Sequence, residues 1–366
     1  MILKSTRQYA PLVTENPAEI ASEPSAPSPK KKRLRTIITL LIGLIIMAAV
    51  FFFLFPQLGN YGKAIEQLKN ISPLWIALLI AAGLLNIALY PLTAIAAIPH
   101  LSYRHAFVNR QAGFLVSNVI PGGGAVAVGT QYAILARYGV QAPAAAAAVS
   151  ADAVWTYLLT LSFPMIGVVG LVIEGRSTAG FMTGAIIGVI VVIVSVIAIA
   201  LILRSESGAR KVARIVQRPV NRAMKVIKKP APDITEKLVE FHHEASELVG
   251  RRWHWLTITN VIAQLTPFIV LLFALAGLGQ FPQPLTLIEI FAAYSIALLL
   301  TSFPITPGGL GTVDAALVAL LVAFGVDSSI AVVADLIWRL VWFLPQLLVG
   351  LGAFGMYKWD TRKHEH

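Results

Sequence analysis

The sequence predicts an all-α polytopic membrane protein: about six full transmembrane helices plus two re-entrant helical hairpins, arranged as an inverted-topology internal repeat. Three observations predict it. Of 366 residues, 57% are hydrophobic and 13% charged, about half the charged share of a soluble domain. The apolar stretches are continuous and several reach the ~20 residues that cross a bilayer as a helix, whereas a membrane barrel alternates. Finally, two apolar regions are each broken near the middle by Pro-Gly-Gly.

Residues 1–36 hold Pro11, Pro17, Pro24, Pro27 and Pro29 among Ser and Glu, with too little apolar content to fold. They read as a disordered cytoplasmic tail ending in KKKRLR. The apolar stretch Ile37 to Phe55 begins too late for a secretory signal and runs into FPQLGN rather than a small-residue cleavage site, so it reads as a retained first span. Further spans are predicted over 73–97, 143–173, 180–203, 254–278 and 328–356. The halves of the broken regions, 105–138 and 286–325, are short for a perpendicular crossing, and each region reads as a re-entrant hairpin. The organisation is therefore a tail (1–36), a first half (37–203, with the repeat at about 73–173), a basic loop (204–252), a second half (253–357) and a cytoplasmic tail (358–366).

Charge sets the orientation. With the N-terminus inside, 25 of the 29 Lys and Arg fall in inside segments, Arg104, Arg110 and Arg137 among them. Three (Lys63, Lys69, Arg176) fall outside, and Arg339 lies within a span. The net charge of +11 thus reads as topogenic and not as a nucleic-acid surface. In the loop, ARKVARIVQRPVNRAMKVIKK puts Val212, Ile215 and Val216 on one face. This pattern fits a basic amphipathic helix on the inner leaflet or a solvated topogenic loop. His242 and His243 lack the spacing of a zinc helix and read as interfacial. Cysteine is absent, and neither metal nor other cofactor is expected. Without a Walker pattern, ATP use by this chain is not expected either.

The repeat is an ordered series of matches. Pro121 and Gly139 recur 186 residues later as Pro307 and Gly325; Asp152 and Trp155 recur 183 later as Asp335 and Trp338; Pro164 recurs as Pro345. The span before the first hairpin runs inward and the span before the second runs outward. The halves are therefore related by an axis in the membrane plane, the arrangement of many transporters that bind cargo near the midplane. Irregular backbone at that depth is tolerated where protein packs it or where it lines a wet cavity, so the two breaks are expected to meet there.

Each break starts a new half-helix, and helix N-termini favour anions. The candidate substrate-binding residues are Pro121, Gly122, Gly123, Gly124, Pro307, Gly308, Gly309, Gly311 and Arg339. An intramembrane charge is by default functional, although Asp335, four residues before Arg339, can neutralise it on one helix face. Asp152 can pair with Arg339 across the repeat or take part in proton coupling. Asp314, in a first helical turn, can serve the helix dipole or coordinate a cation. Trp155 and Trp338 read as packing residues, and Gln131 and Tyr132 as lining candidates.

PITPGGLGTVDAALVALLVAFGV followed by ADLIWRL resembles the transmembrane domain of bacterial lysylphosphatidylglycerol synthases and the stand-alone flippase-like family related to it. The likeness covers about residues 37–357. It implies translocation of a phospholipid or related headgroup between leaflets of a bacterial inner membrane, with Pro307, Gly308, Gly309, Gly311, Asp314 and Arg339 as the motif positions. Asp314 stands where the family pattern has Glu. The chain ends in YKWDTRKHEH, so no synthase domain and no enzymatic activity are expected. The expected partners are membrane lipids, with a homo-oligomer left open and nucleic acid excluded. The alternatives are a secondary transporter of a small soluble anion, coupled through Asp152 or Asp335, and a non-transporting anchor or regulator of an envelope enzyme.

Overall fold

A computed structural model describes residues 69–120, 123–176, 179–226, 233–302 and 306–363. The predicted tail and first span, along with Pro121 and Gly122, lie outside the described residues. Within them the chain is helical, without strands, and four helical stretches are long and apolar enough to cross a membrane: Pro73–Ala97, Ala142–Ile173, Ala245–Gly277 and Ser328–Asp360. They coincide with four of the predicted spans, and a helix over Ala179–Arg204 coincides with a fifth.

We label the helices in chain order. The first described span divides into α1 (Pro73–Leu89) and α2 (Leu92–Ala97) around Pro91. Its ring fixes φ and has no N–H to continue the ladder. The first hairpin is α3 (Tyr103–Val119) and α4 (Gly123–Arg137). Then come α5 (Ala142–Ile173), α6 (Ala179–Arg204), α7 (Glu206–Val226) and α8 (Ile234–Gly277). The second hairpin is α9 (Leu287–Leu299) and α10 (Thr312–Ala323). Last are α11 (Ser328–Trp338), a π turn over Arg339–Phe343 and α12 (Leu344–Lys363). The π turn precedes Pro345, whose ring would clash with the carbonyl one α-turn back.

The hairpins enter from opposite ends. At the mouth of the first, Arg104 pairs with Asp360 at 2.9 Å and the Tyr138 hydroxyl donates to Asp360 at 3.3 Å. At the mouth of the second, Glu289 pairs with Arg176 at 2.6 Å and the Thr286 hydroxyl donates to Glu174 at 2.9 Å. Helix α5 begins just after Tyr138 and ends just before Glu174. Its 32 residues put the mouths about 48 Å apart along its axis. The tips meet between them: Leu310 shares a buried cluster with Leu115, Val119, Phe343 and Leu347.

Packing obeys the same symmetry. Helix α12 lies on α3 and α5 lies on α9, and both approaches are made by glycine. A Cβ on Gly167 would sit 2.8 Å from Ala292 Cα, and one on Gly350 would sit 2.7 Å from the Gln111 carbonyl oxygen. The two glycines are 183 residues apart, the displacement of the Asp-x-x-Trp pair. Small residues let membrane helices pack closely where hydrophobic burial gives no drive. Gly167→Leu or Gly350→Leu is expected to cost about 1–3 kcal/mol by overpacking. Gly352→Leu, where a side chain meets nothing within 4 Å, is expected to be near neutral in the same thermal-unfolding assay.

The basic loop forms an amphipathic helix whose apolar face divides. Val212 and Ala209 are buried in a cluster with Ile202, packed against Leu238, Val239 and Phe241, while Ile215 is exposed. The side away from α8 carries Arg210, Lys211, Arg214, Arg218 and Arg222. His242 is hydrogen-bonded through Nδ1 to the Ile202 carbonyl, and His243 lies 3.6 Å from Glu206.

Candidate functional site

The PGGLG turn needs its glycines. Gly308 (φ 61°) and Gly311 (φ 83°) both occupy the left-handed region, which L side chains rarely enter. A Cβ on Gly308 would also lie 2.6 Å from Phe343 Cζ. The turn delivers Asp314 into the first turn of α10. There Oδ2 accepts the Gly311 N–H at 2.6 Å, and Oδ1 accepts Arg339 Nε at 2.6 Å. Neither residue is more than 1% exposed. Arg339 Nη1 also donates to the Gly308 carbonyl at 3.3 Å. The guanidinium lies 4.9 Å from the Phe343 ring centre and 5.0 Å from that of Trp338, within cation–π range. Trp338 is anchored by its indole N–H on the Pro267 carbonyl at 2.8 Å.

Two sequence expectations change here. Arg339 pairs with Asp314 rather than with Asp335 or Asp152. The turn holds one Asp314 oxygen on a backbone N–H and so fixes the other in front of the guanidinium. Asp314 also fills the N-terminus of α10 expected to receive an anion, so the carboxylate already answers the dipole there. Asp335 is fully buried, and neither of its oxygens receives a hydrogen bond. In the first hairpin, Gly123 is buried at the start of α4, whereas nothing lies within 4 Å of a Cβ on Gly124.

The first half has a matching buried pair of reversed placement. Arg110, on α3, donates to Asp152, on α5, at 2.6 Å. Asn260 Nδ2 reaches the other Asp152 oxygen at 3.4 Å, and the guanidinium stands 4.3 Å over the Tyr90 ring. In this half the hairpin supplies the cation and the following span the anion; in the second half it is the other way round. Arg110 and Asp152 line a half-open pocket with Asn109, Gln131, Leu135 and Val149. The enclosed part of the pocket has room for about one water molecule. Gln131 lines this pocket, away from the tips, while Tyr132 packs against the buried cluster of Leu135 and Ala148. Trp155 donates to Thr257 at 2.8 Å, so both Asp-x-x-Trp indoles anchor on α8.

Arg110 was counted with the inside charges in the sequence, yet it sits inside the hairpin at 9% exposure. The signal for it is the polar run Asn109-Arg110-Gln111 in the middle of the half-helix, flanked by Ala106-Phe107-Val108 and Phe114-Leu115-Val116. At the first mouth, burial first and Asp360 second push the Tyr138 phenol up to about 12, so it remains the donor to that carboxylate at neutral pH.

A family model described as the lysylphosphatidylglycerol synthase TM region matches residues 40–350. A UPF0104 membrane protein of Methanothermobacter thermautotrophicus is 21% identical over 328 residues, covering 86% of this chain and 94% of its own length.

Proposed function

This multi-pass membrane protein belongs to the family of lysylphosphatidylglycerol synthase transmembrane regions, and we propose that it translocates phospholipid headgroups between leaflets without chemical conversion. The observation that carries the reading is the meeting of two inverted hairpin tips with a buried arginine in each half. In this reading Arg110 in its pocket and Arg339 below Gly308 are the phosphate-binding guanidiniums. We place the mouth held by Asp360 in the cytoplasm of a cell membrane, as the Lys and Arg distribution favours. The basic face of α7 lies at that surface, where anionic lipid would gather.

Proteoliposomes with fluorescent phospholipids in both leaflets test the proposal. The expected result is faster loss of inner-leaflet protection than in protein-free vesicles, abolished by Arg339→Ala. No headgroup moving faster than in empty vesicles overturns it. A variant deleting 208–230 separates transport from anchoring: if that deletion abolishes cellular function while Arg339→Ala preserves it, the protein acts as an anchor.

A further inference from the structure

The second-half site has an unbalanced charge. Helices α10 and α11 pack together, with Asp314 and Asp335 within electrostatic reach of each other, and Arg339, four residues beyond Asp335, spends its ion pair on Asp314. Two carboxylates and one guanidinium leave one uncompensated negative charge at a site no more than 1% exposed. The first half is balanced, with Arg110 against Asp152. Asp335 is the repeat mate of Asp152, yet both its oxygens lack a donor. The Asp314 oxygens accept from Gly311 N–H and Arg339 Nε and offer Asp335 no hydrogen, and a buried carboxylate without a partner is among the costliest arrangements in a membrane. A single proton satisfies both at once, as two carboxylates sharing one site commonly do.

We propose that Asp314 and Asp335 form a proton-binding site that couples the route to the transmembrane proton gradient. The proton adds to a carboxylate oxygen from water on one side, forming one O–H bond. It returns to water on the other side when that bond breaks, and no other bond changes. The neighbours allow no second candidate. Helix α10 offers Asp314 and the π turn offers Arg339. The part of α8 from Thr257 to Gly277 has no ionisable side chain, and Tyr294 of α9 is committed to the Gln264 carbonyl at 2.5 Å. Asp152, held by Arg110, serves as the internal control. The coupling half of this inference rests on the lipid-translocation reading; proton binding does not.

Infrared difference spectroscopy of the full chain in lipid vesicles reads the proton directly. The wild type is expected to show the carbonyl stretch of a protonated buried carboxyl group at neutral pH. That band should vanish in Asp335→Asn, whose amide can donate to Asp314 and preserve the fold, and persist in Asp152→Asn. A wild-type spectrum without the band, or a band unchanged in Asp335→Asn, overturns the site. In the second arm, a one-unit pH gradient across the same vesicles is expected to bias lipid distribution up to about tenfold for one proton per headgroup, with no bias in Asp335→Asn. An intact band with no gradient effect in an active wild type overturns the coupling. Lipid movement absent from every variant, with the band in place, defeats the transport reading and leaves the proton site standing.

Discussion

Arg339→Ala is expected to stop headgroup translocation and to lower stability by about 3–5 kcal/mol, the usual cost of removing one partner of a buried ion pair. The loss has three parts. Asp314 loses its guanidinium partner in a fully buried position. The Gly308 carbonyl loses its donor. The rings of Phe343 and Trp338 lose the guanidinium between them. Arg339→Lys is expected to recover part of the stability and little of the activity. An ammonium can reach Asp314, but it lacks the planar fork that serves Asp314 and Gly308 together. Chemical denaturation in detergent reads the first effect and the vesicle assay the second. A lysine variant with full transport would mean the pair is merely structural.

Asp152→Ala is expected to cost about 3 kcal/mol, at the low end of the same range, because Arg110 is 9% exposed where Arg339 is 1%. The double variant Arg110→Leu with Asp152→Leu is expected to regain most of that stability, since apolar residues of similar size replace buried ion pairs at little cost. It should still fail to transport. A double-mutant cycle measured by thermal unfolding separates pair energy from packing. Recovery of transport along with stability would show that the first-half pair plays no part in moving cargo.

The symmetry of the molecule was legible in its sequence because it is written in backbone chemistry. Proline and glycine report breaks wherever they fall, and the matches Pro121/Pro307, 186 apart, and Trp155/Trp338, 183 apart, already mark two related hairpins. Gly167 and Gly350 repeat the displacement of 183 at the points where each hairpin meets the opposite half. The ion pairs were not legible. Arg110 and Asp152 are 42 residues apart, Asp314 and Arg339 are 25 apart, and local spacing favours the same-helix partner Asp335 instead. Nothing in local periodicity shows that the PGGLG turn spends one Asp314 oxygen on Gly311 and aims the other at Arg339. The division of the α7 apolar face is likewise set by its antiparallel contact with α8, which lies beyond any local window.

The opposed entry of the two hairpins is the premise of the whole account, and the natural absence of cysteine makes it directly measurable. Tyr103 and Leu287 open α3 and α9 and are similarly exposed, at 46% and 47%. Single variants Tyr103→Cys and Leu287→Cys, in sealed vesicles of known sidedness, should react with a membrane-impermeant thiol reagent from opposite sides. Labelling of both from the same side would contradict the inverted repeat and the transport route built on it.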